Sequence, residues 1–335
     1  MGPMTIMITG AAGYVGRACV AEARAGGHHV VAVVRLASVA PDDWTGDDEI
    51  EIVEADLSTP DCVPVLNMLG VDAVIHAAAS LTGTDAEQER TTLAGTRNLL
   101  QAMETADDPP RLVLVSSMSV YSGMGLKPFA VVDETTPLED KGTARDAYCR
   151  AKLEQERITA ESAMDLGAEL RIMRVGAVYG PERLWNAHIG AGFGPLLLRL
   201  GRDGEIPLAH VDYVAHALIR AAETPVPDSP DGALEVLNVV EDDLPDRVRF
   251  LNAISRSGWP KLLLPIPWRV FDGLAWLLQV WPCRPGLLRR ETLRARMFPV
   301  TYPNTRLRAR LGLGPSDLFE RSFALAMGDK RTGEN

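Results

Sequence analysis

Tyr148 and Lys152 stand four residues apart in a 335-residue chain, within the stretch DAYCRAKLEQE, whose composition suits a helix. On a helix that spacing puts both side chains on one face. A phenol beside an ammonium is a pair that can move a proton. Free tyrosine has a pKa of about 10, and bringing it near 7 takes roughly 4 kcal/mol of preferential stabilisation of the phenolate. An ammonium about 4 Å away, at an effective dielectric of about 20, supplies a similar amount. The expectation is a tyrosine whose pKa Lys152 lowers, fit for acid and base work near neutrality. Alone, a YxxxK pair is most often an exposed helix face, so its meaning rests on the residues around it in the fold.

The second chemical group is Thr9 to Gly16, TGAAGYVG, which sets Gly10, Gly13 and Gly16 between an apolar run and an apolar-striped segment. Glycine permits a tight turn and lets backbone N–H groups approach a pyrophosphate, and a helix N-terminus offers that anion partial positive charge. Between a first strand and a first helix, the loop predicts dinucleotide binding through Gly10, Ala12, Gly13, Tyr14, Val15 and Gly16.

These groups need elements to position them. Continuous apolar runs predict strands at Thr5–Thr9, Val30–Val34, Glu51–Val53, Ala73–His76, Leu112–Ser116 and Leu170–Val175. Helical patterns at Tyr14–Ala25, Thr91–Thr105 and Asp146–Leu166 fall between them. Alternation of this kind, with strands apolar on both faces, predicts an α/β fold with a doubly wound parallel sheet of Rossmann type. After about Pro181 the rhythm breaks, which predicts a smaller, less regular C-terminal substrate-binding region. The expected division is 4–180 for the dinucleotide-binding domain and 181–330 for the substrate region, with segments at about 210–240 returning to the first domain. Residues 228–232 and the tail after Gly328 read as exposed loop and end.

Composition narrows the class. A hydrophobic content of 46% is ample for a core, and a net charge of −11 argues against nucleic-acid binding, which needs a basic surface. Cys19, Cys62, Cys149 and Cys283 form no ligand or disulfide pattern, so no metal is expected and a cytoplasmic setting is. No targeting segment is expected before the first strand.

The GxxGxxG spacing resembles the TGxxGxxG of extended short-chain dehydrogenases, of the epimerase/dehydratase and 3β-hydroxysteroid dehydrogenase-like type. Further segments agree in order: Asp56-Leu57 after the third strand, HAAA at His76 to Ala79, Gly95-Thr96 within LAGTRNLL, SSMSVY at Ser116 to Tyr121, RVGAVYGP at Arg174 to Pro181, and HVDYVA at His210 to Ala215. Thr92 stands where asparagine is usual, and Val175 where proline is. The resemblance spans residues 4 to about 220. It implies that Asp56 meets the adenine amino group, that Leu57, Ala77, Ala78, Ala79 and Val175 border the cofactor, and that Tyr148 exchanges a proton with the substrate oxygen. It also implies that Lys152 holds the nicotinamide ribose and that Ser117, four residues before Tyr121, completes the triad, with Ser116 and Ser119 as neighbours to exclude. Ser80, Ser117, Met118, Tyr179 and Trp185 are the expected substrate contacts, and a homodimer is the expected assembly. Cys149 is expected to pack, and His210 to be structural or ligand-binding in equal measure.

The second strand ends in Arg35, where an NAD enzyme typically has an acidic residue for the ribose hydroxyls. A guanidinium can grip a 2′-phosphate, so NADP is expected over NAD. Nucleotide-sugar enzymes of the family usually have an arginine four residues before the histidine of HVD; this chain has Ile206, with Arg183, Arg199 and Arg202 as nearby substitutes. An apolar or uncharged small-molecule substrate is therefore expected. Leu262 to Pro282, rich in leucine and tryptophan, is interrupted too often for a membrane span. Trp268 to Trp281 reads as an amphipathic helix, either packed on the substrate pocket or making peripheral contact with a bilayer. Three functions remain open: a secondary-alcohol/ketone oxidoreductase, a nucleotide-sugar epimerase or dehydratase that retains its cofactor, and a noncatalytic sensor or scaffold.

Overall fold

A computed structural model describes residues 2–140, 145–227, 233–278 and 286–328. The expected loops at 228–232 and after Gly328, Cys283, and the end of the Leu262 to Pro282 stretch lie outside the described residues.

Seven parallel strands form the main sheet: β1 (Thr5–Thr9), β2 (His29–Val34), β3 (Ile50–Glu54), β4 (Ala73–His76), β5 (Arg111–Ser117), β6 (Leu170–Val175) and β7 (Leu234–Val239). Their order is β7-β6-β5-β4-β1-β2-β3, the doubly wound arrangement that alternation predicted. β7 is a strand that the sequence reading did not set apart. It pairs with β6 in register from Leu234 opposite Leu170 to Val239 opposite Val175.

Helices cover both faces. On one, α1 (Tyr14–Ala25) packs Cys19, Val20 and Ala23 with Val214, Ala215 and Leu218 of α4 (Val211–Glu223). On the other, Leu99, Leu100 and Met103 of α2 (Ala94–Met103) join Ala163 of α3 (Ala147–Leu166). Helix α3 starts on the cap that the Asp146 side chain gives the Cys149 N–H, 2.8 Å, and stops at Gly167, whose φ of +67° suits glycine. Helix α2 begins later than the expected Thr91 because Glu89–Leu93 forms a π turn. There Thr91 and Thr92 donate back into the preceding turn, to Glu87 O and Gln88 Oε1, and so loosen the regular ladder. At the β7 edge, buried Arg171 holds Glu235 at 2.9 Å and donates to the carbonyls of Ala221 and Thr224, fastening β6, β7 and the end of α4 together.

Beyond β6 a small sheet pairs Leu196–Leu200 with Gly190–Phe193 and with Leu262–Ile266. The helix after it spans Trp268–Leu277, and its Trp268 ring meets Phe298 at 5.1 Å. This contact packs the inner face of the helix, while Val270, Trp276 and Leu277 on the outer face and Leu262 to Leu264 on the strand are exposed. Among the described residues, no helix is long and apolar enough to cross a membrane.

Candidate active site

The strand order reverses at β1 and β4, so a crevice opens at their C-terminal ends. Gly10 turns there with φ +68°, and a Cβ would fall 2.9 Å from Ala78 Cα, so Ala77 and Ala78 close directly on the glycine loop. A Cβ on Gly16 would fall 2.2 Å from Gly10 O, so only glycine lets α1 begin beneath the turn. Gly13, the residue before α1, provides no side-chain cap, and the first turn, which includes Val15, holds no acidic group. Its N–H groups are left to an anion. The Tyr14 hydroxyl donates to Pro181 O at 3.0 Å with Arg183 over its ring, so only the backbone of Tyr14 remains for a ligand.

Asp56 lies exposed at the far end of the crevice. Its Oδ1 accepts from the hydroxyl and N–H of Ser58, 2.7 and 3.0 Å, and these bonds hold its carboxyl below the usual range, with a smaller contribution from the Arg35 guanidinium. The other oxygen has no hydrogen-bond partner among the described residues. Leu57 O accepts from Asn98 at 2.7 Å, and a Cβ on Gly95 would sit 3.2 Å from Leu57 Cβ, which seats α2 against this loop. An uncapped helix start, a crevice closed by backbone and a free carboxylate oxygen fit a dinucleotide.

A cavity of about 180 Å³ adjoins the crevice, lined by Ser117, Met118, Tyr148 and Val175 among others. Burial raises the Tyr148 phenol above its ordinary pKa, partly opposed by a hydrogen bond from Ser117. This corrects the expected lowering by Lys152. The ammonium lies 6.0 Å from the ring centroid and donates to Val115 O and Gln155 Oε1, both at 2.8 Å. Burial pushes Lys152 itself down to about 8. Tyr148 is thus a protonated acid at neutral pH.

The serine run is separated by its partners. The Ser116 hydroxyl bonds Glu156 in the core, and the Ser119 N–H donates to Ser117 Oγ at 3.1 Å. Ser119 Oγ is buried and has no hydrogen-bond partner among the described residues, and of the three Ser117 meets Tyr148. Cys149 packs as expected, its Sγ 3.1 Å from Ser119 O and its pKa pushed up to about 12 by burial.

Lys152 is held by a chain of bonds that the sequence reading missed. Gln155 Nε2 donates to Thr96 Oγ1 at 2.7 Å, Thr96 Oγ1 lies 2.9 Å from His76 Nε2, and His76 Nδ1 lies 2.7 Å from Thr9 Oγ1. Since the Thr96 hydroxyl donates to Thr92 O, it must accept from His76, which assigns the ring proton to Nε2 and makes Thr9 the donor to Nδ1. Burial, with a smaller effect of Lys152, drops His76 to about 3, so the ring is neutral. The chain fixes Lys152 relative to the glycine loop through five side chains on four elements.

Other expected contacts are placed elsewhere. Tyr179 is buried, donating to Glu241 at 3.2 Å and stacking on Phe323, so it is a core residue outside the cavity wall. Trp185 packs edge-on against Trp259 at 5.1 Å and stays half exposed, also off the wall. Ser80 is spent on Thr92 and Thr82. His210 caps α4 through the Asp212 N–H, a structural role. Arg183, Arg199 and Arg202 do not line the cavity, whereas Arg145, Arg294 and Arg296 do. The expectation is an apolar or uncharged substrate, and these three arginines, two of them within the arginine-rich stretch from Arg289 to Arg296, carry no motif that marks them as cavity residues.

A family model described as NAD dependent epimerase/dehydratase matches residues 6–238. A 3 beta-hydroxysteroid dehydrogenase/Delta 5→4-isomerase of Mycobacterium tuberculosis is 27% identical, covering 96% of this chain and 88% of its own. A 3-diazoavenalumate denitrifying reductase of a Streptomyces species is 29% identical over 78% of this chain and 86% of its own. The structure of MoeE5 in complex with UDP-glucuronic acid and NAD superposes with a TM-score of 0.69 at 22% identity, covering 98% and 99% of the two chains, a likeness of fold. With the crevice, the glycine loop and the family match in agreement, the chain belongs to the NAD-dependent epimerase/dehydratase family of extended short-chain dehydrogenases.

Proposed function

We propose that this protein is an NAD(P)-dependent oxidoreductase interconverting a secondary alcohol and a ketone, with Tyr148 as acid and base and NADP as the preferred cofactor. The observation that carries this reading is the meeting of Ser117 and Tyr148 on one cavity wall, with Lys152 held one helical turn away. A nicotinamide held in the crevice would supply or accept the hydride at carbon. In the reducing direction the Tyr148 hydroxyl donates its proton to the carbonyl oxygen, Ser117 hydrogen-bonds the same oxygen, and solvent returns the proton to the phenolate. Lys152, with two hydrogens given to Val115 O and Gln155 Oε1, would offer its third to the ribose. The hydroxysteroid dehydrogenase activity named for the mycobacterial relative favours this reading over a sugar epimerase, as does the buried, apolar Ile206; the reductase name of the Streptomyces relative supports net reduction without naming a ketone.

Purified protein mixed with NADPH and a panel of ketones is expected to consume nicotinamide absorbance in proportion to alcohol formed. Cofactor that stays bound through purification, with UDP-sugars epimerised and no net absorbance change, would establish the epimerase instead.

Arg35 supports the cofactor preference: it is exposed just past β2, and no described residue engages it in a hydrogen bond or ion pair. Arg35→Asp is expected to weaken NADPH binding about tenfold or more relative to NADH, the scale of a lost charge-assisted bond. Equal effects on both cofactors, measured by fluorescence titration, would remove the NADP assignment.

A further inference from the structure

The cavity beside Tyr148 carries more positive charge than its own carboxylates match. Arg294 is answered by Asp272 at 3.2 Å and lies over the Phe298 ring. Arg145 is buried and reaches the carboxylates of Glu139 and Asp146 only at 3.9 Å, while Asp146 spends its Oδ1 on the α3 cap. Arg296 has no hydrogen-bond or ion-pair partner for its guanidinium among the described residues, although its backbone carbonyl is gripped by buried Arg247 at 2.7 Å. Burial and the like charge of Arg145 both lower the Arg296 pKa, with Asp146 opposing them. Two guanidiniums thus face one small, partly apolar space in mutual repulsion.

An unmatched pair of this kind costs stability in the free protein, and an oxyanion between the two forks would relieve it. We infer that Arg145 and Arg296 form a subsite for a carboxylate carried by the substrate, whose carbonyl or alcohol carbon then meets Ser117 and Tyr148. The inference rests on the oxidoreductase reading above and assigns its substrate class: a keto or hydroxy acid with an apolar body. The apolar remainder of the wall, with Leu126, Val132 and Phe298, receives that body. A diphosphate is the other oxyanion a guanidinium pair could take. The buried, apolar Ile206 and the apolar side chains beside the two guanidiniums favour the carboxylate.

The test is thermal unfolding of the full chain with benzoate, with benzamide as its neutral counterpart, and with UDP, at matched ionic strength in sodium chloride. Benzoate is expected to raise the midpoint and benzamide not. Arg296→Gln should weaken benzoate about tenfold or more, with Arg296→Lys intermediate, and both variants should retain wild-type NADPH affinity as proof of folding. Benzamide binding as well as benzoate, undiminished benzoate binding in Arg296→Gln, or stabilisation by UDP in place of benzoate would each overturn the carboxylate subsite. Arg296-dependent benzoate binding in a protein that binds neither NADPH nor NADH would sink the oxidoreductase reading and leave the subsite standing. Tyr148-dependent turnover of neutral ketones alone would do the reverse.

Discussion

Tyr148→Phe is expected to reduce kcat by about 10²- to 10⁴-fold, the range for loss of a positioned general acid, while leaving NADPH affinity unchanged. The substitution removes one oxygen and keeps the ring, so the wall of the cavity survives. Lys152→Met should differ in kind, chiefly weakening the cofactor, because the ammonium is proposed to hold the ribose. The pH profile separates acid from base. The burial-raised phenol stays protonated across neutral pH, which poises the site for reduction. Lys152, depressed to about 8, is charged below that pH and neutral above it. Reduction at subsaturating cofactor should therefore be level through neutrality and decline above about pH 8, where the Lys152 ammonium proposed to hold the ribose loses its charge. The stability linkage has the opposite sense. The fold prefers neutral Lys152, so this residue opposes folding below pH 8, and the penalty fades as pH rises towards its ordinary value. A reduction rate that climbs through pH 8, or a Tyr148→Phe enzyme with wild-type kcat, would refute the assignment of the acid.

The features legible in the sequence are those that neighbours along the chain determine. The spacing of Gly13 and Gly16 follows from their close approach to Gly10 O, and the strands from unbroken apolar runs, so both could be read locally, whereas the need for glycine at position 10 also depends on Ala78 across the sheet. Ser117 could be singled out only by motif; its separation from Ser116 depends on Glu156, forty residues away, filling one hydroxyl's bonding capacity. Gln155 looks like an ordinary helix residue until α3 lies beside α2 and its amide finds Thr96. Arg145 and Arg296 converge from distant segments, and it is a property of the folded cavity that Arg145 meets carboxylates only at 3.9 Å and Arg296 meets none among the described residues. Tyr179 misled for the opposite reason. It sits within a motif that borders the active site, yet β-sheet alternation turns its ring into the aromatic cluster with Phe319 and Phe323.

Glu156→Ala is expected to destabilise the protein by about 3–5 kcal/mol, because it strands the buried Arg174 cation without its counter-charge. Glu156 and Arg174 are both under 9% exposed, joined by bonds of 2.7 and 3.0 Å. Arg174 continues to the Tyr121 hydroxyl at 3.0 Å, which donates to Asn238 at 2.7 Å, so the network spans α3, β5, β6 and β7. By contrast Arg97 of α2 pairs with Glu89 in full view of solvent, and Arg97→Ala should leave the urea midpoint close to wild type. A fall in midpoint at unchanged m-value in Glu156→Ala alone would locate the loss in the folded state; a midpoint within the range of Arg97→Ala would refute the argument. Glu156→Gln should fall between, since it keeps an acceptor for Ser116 but not the charge for Arg174. The consequence for chemistry follows from spacing. Tyr148, Lys152 and Glu156 recur every four residues on one helix face, so the ion pair that fastens α3 to the sheet also sets the depth at which the phenol and the ammonium stand. Folded Glu156→Gln enzyme should accordingly bind NADPH yet turn over more slowly, a split in kcat that a stability defect alone would not produce.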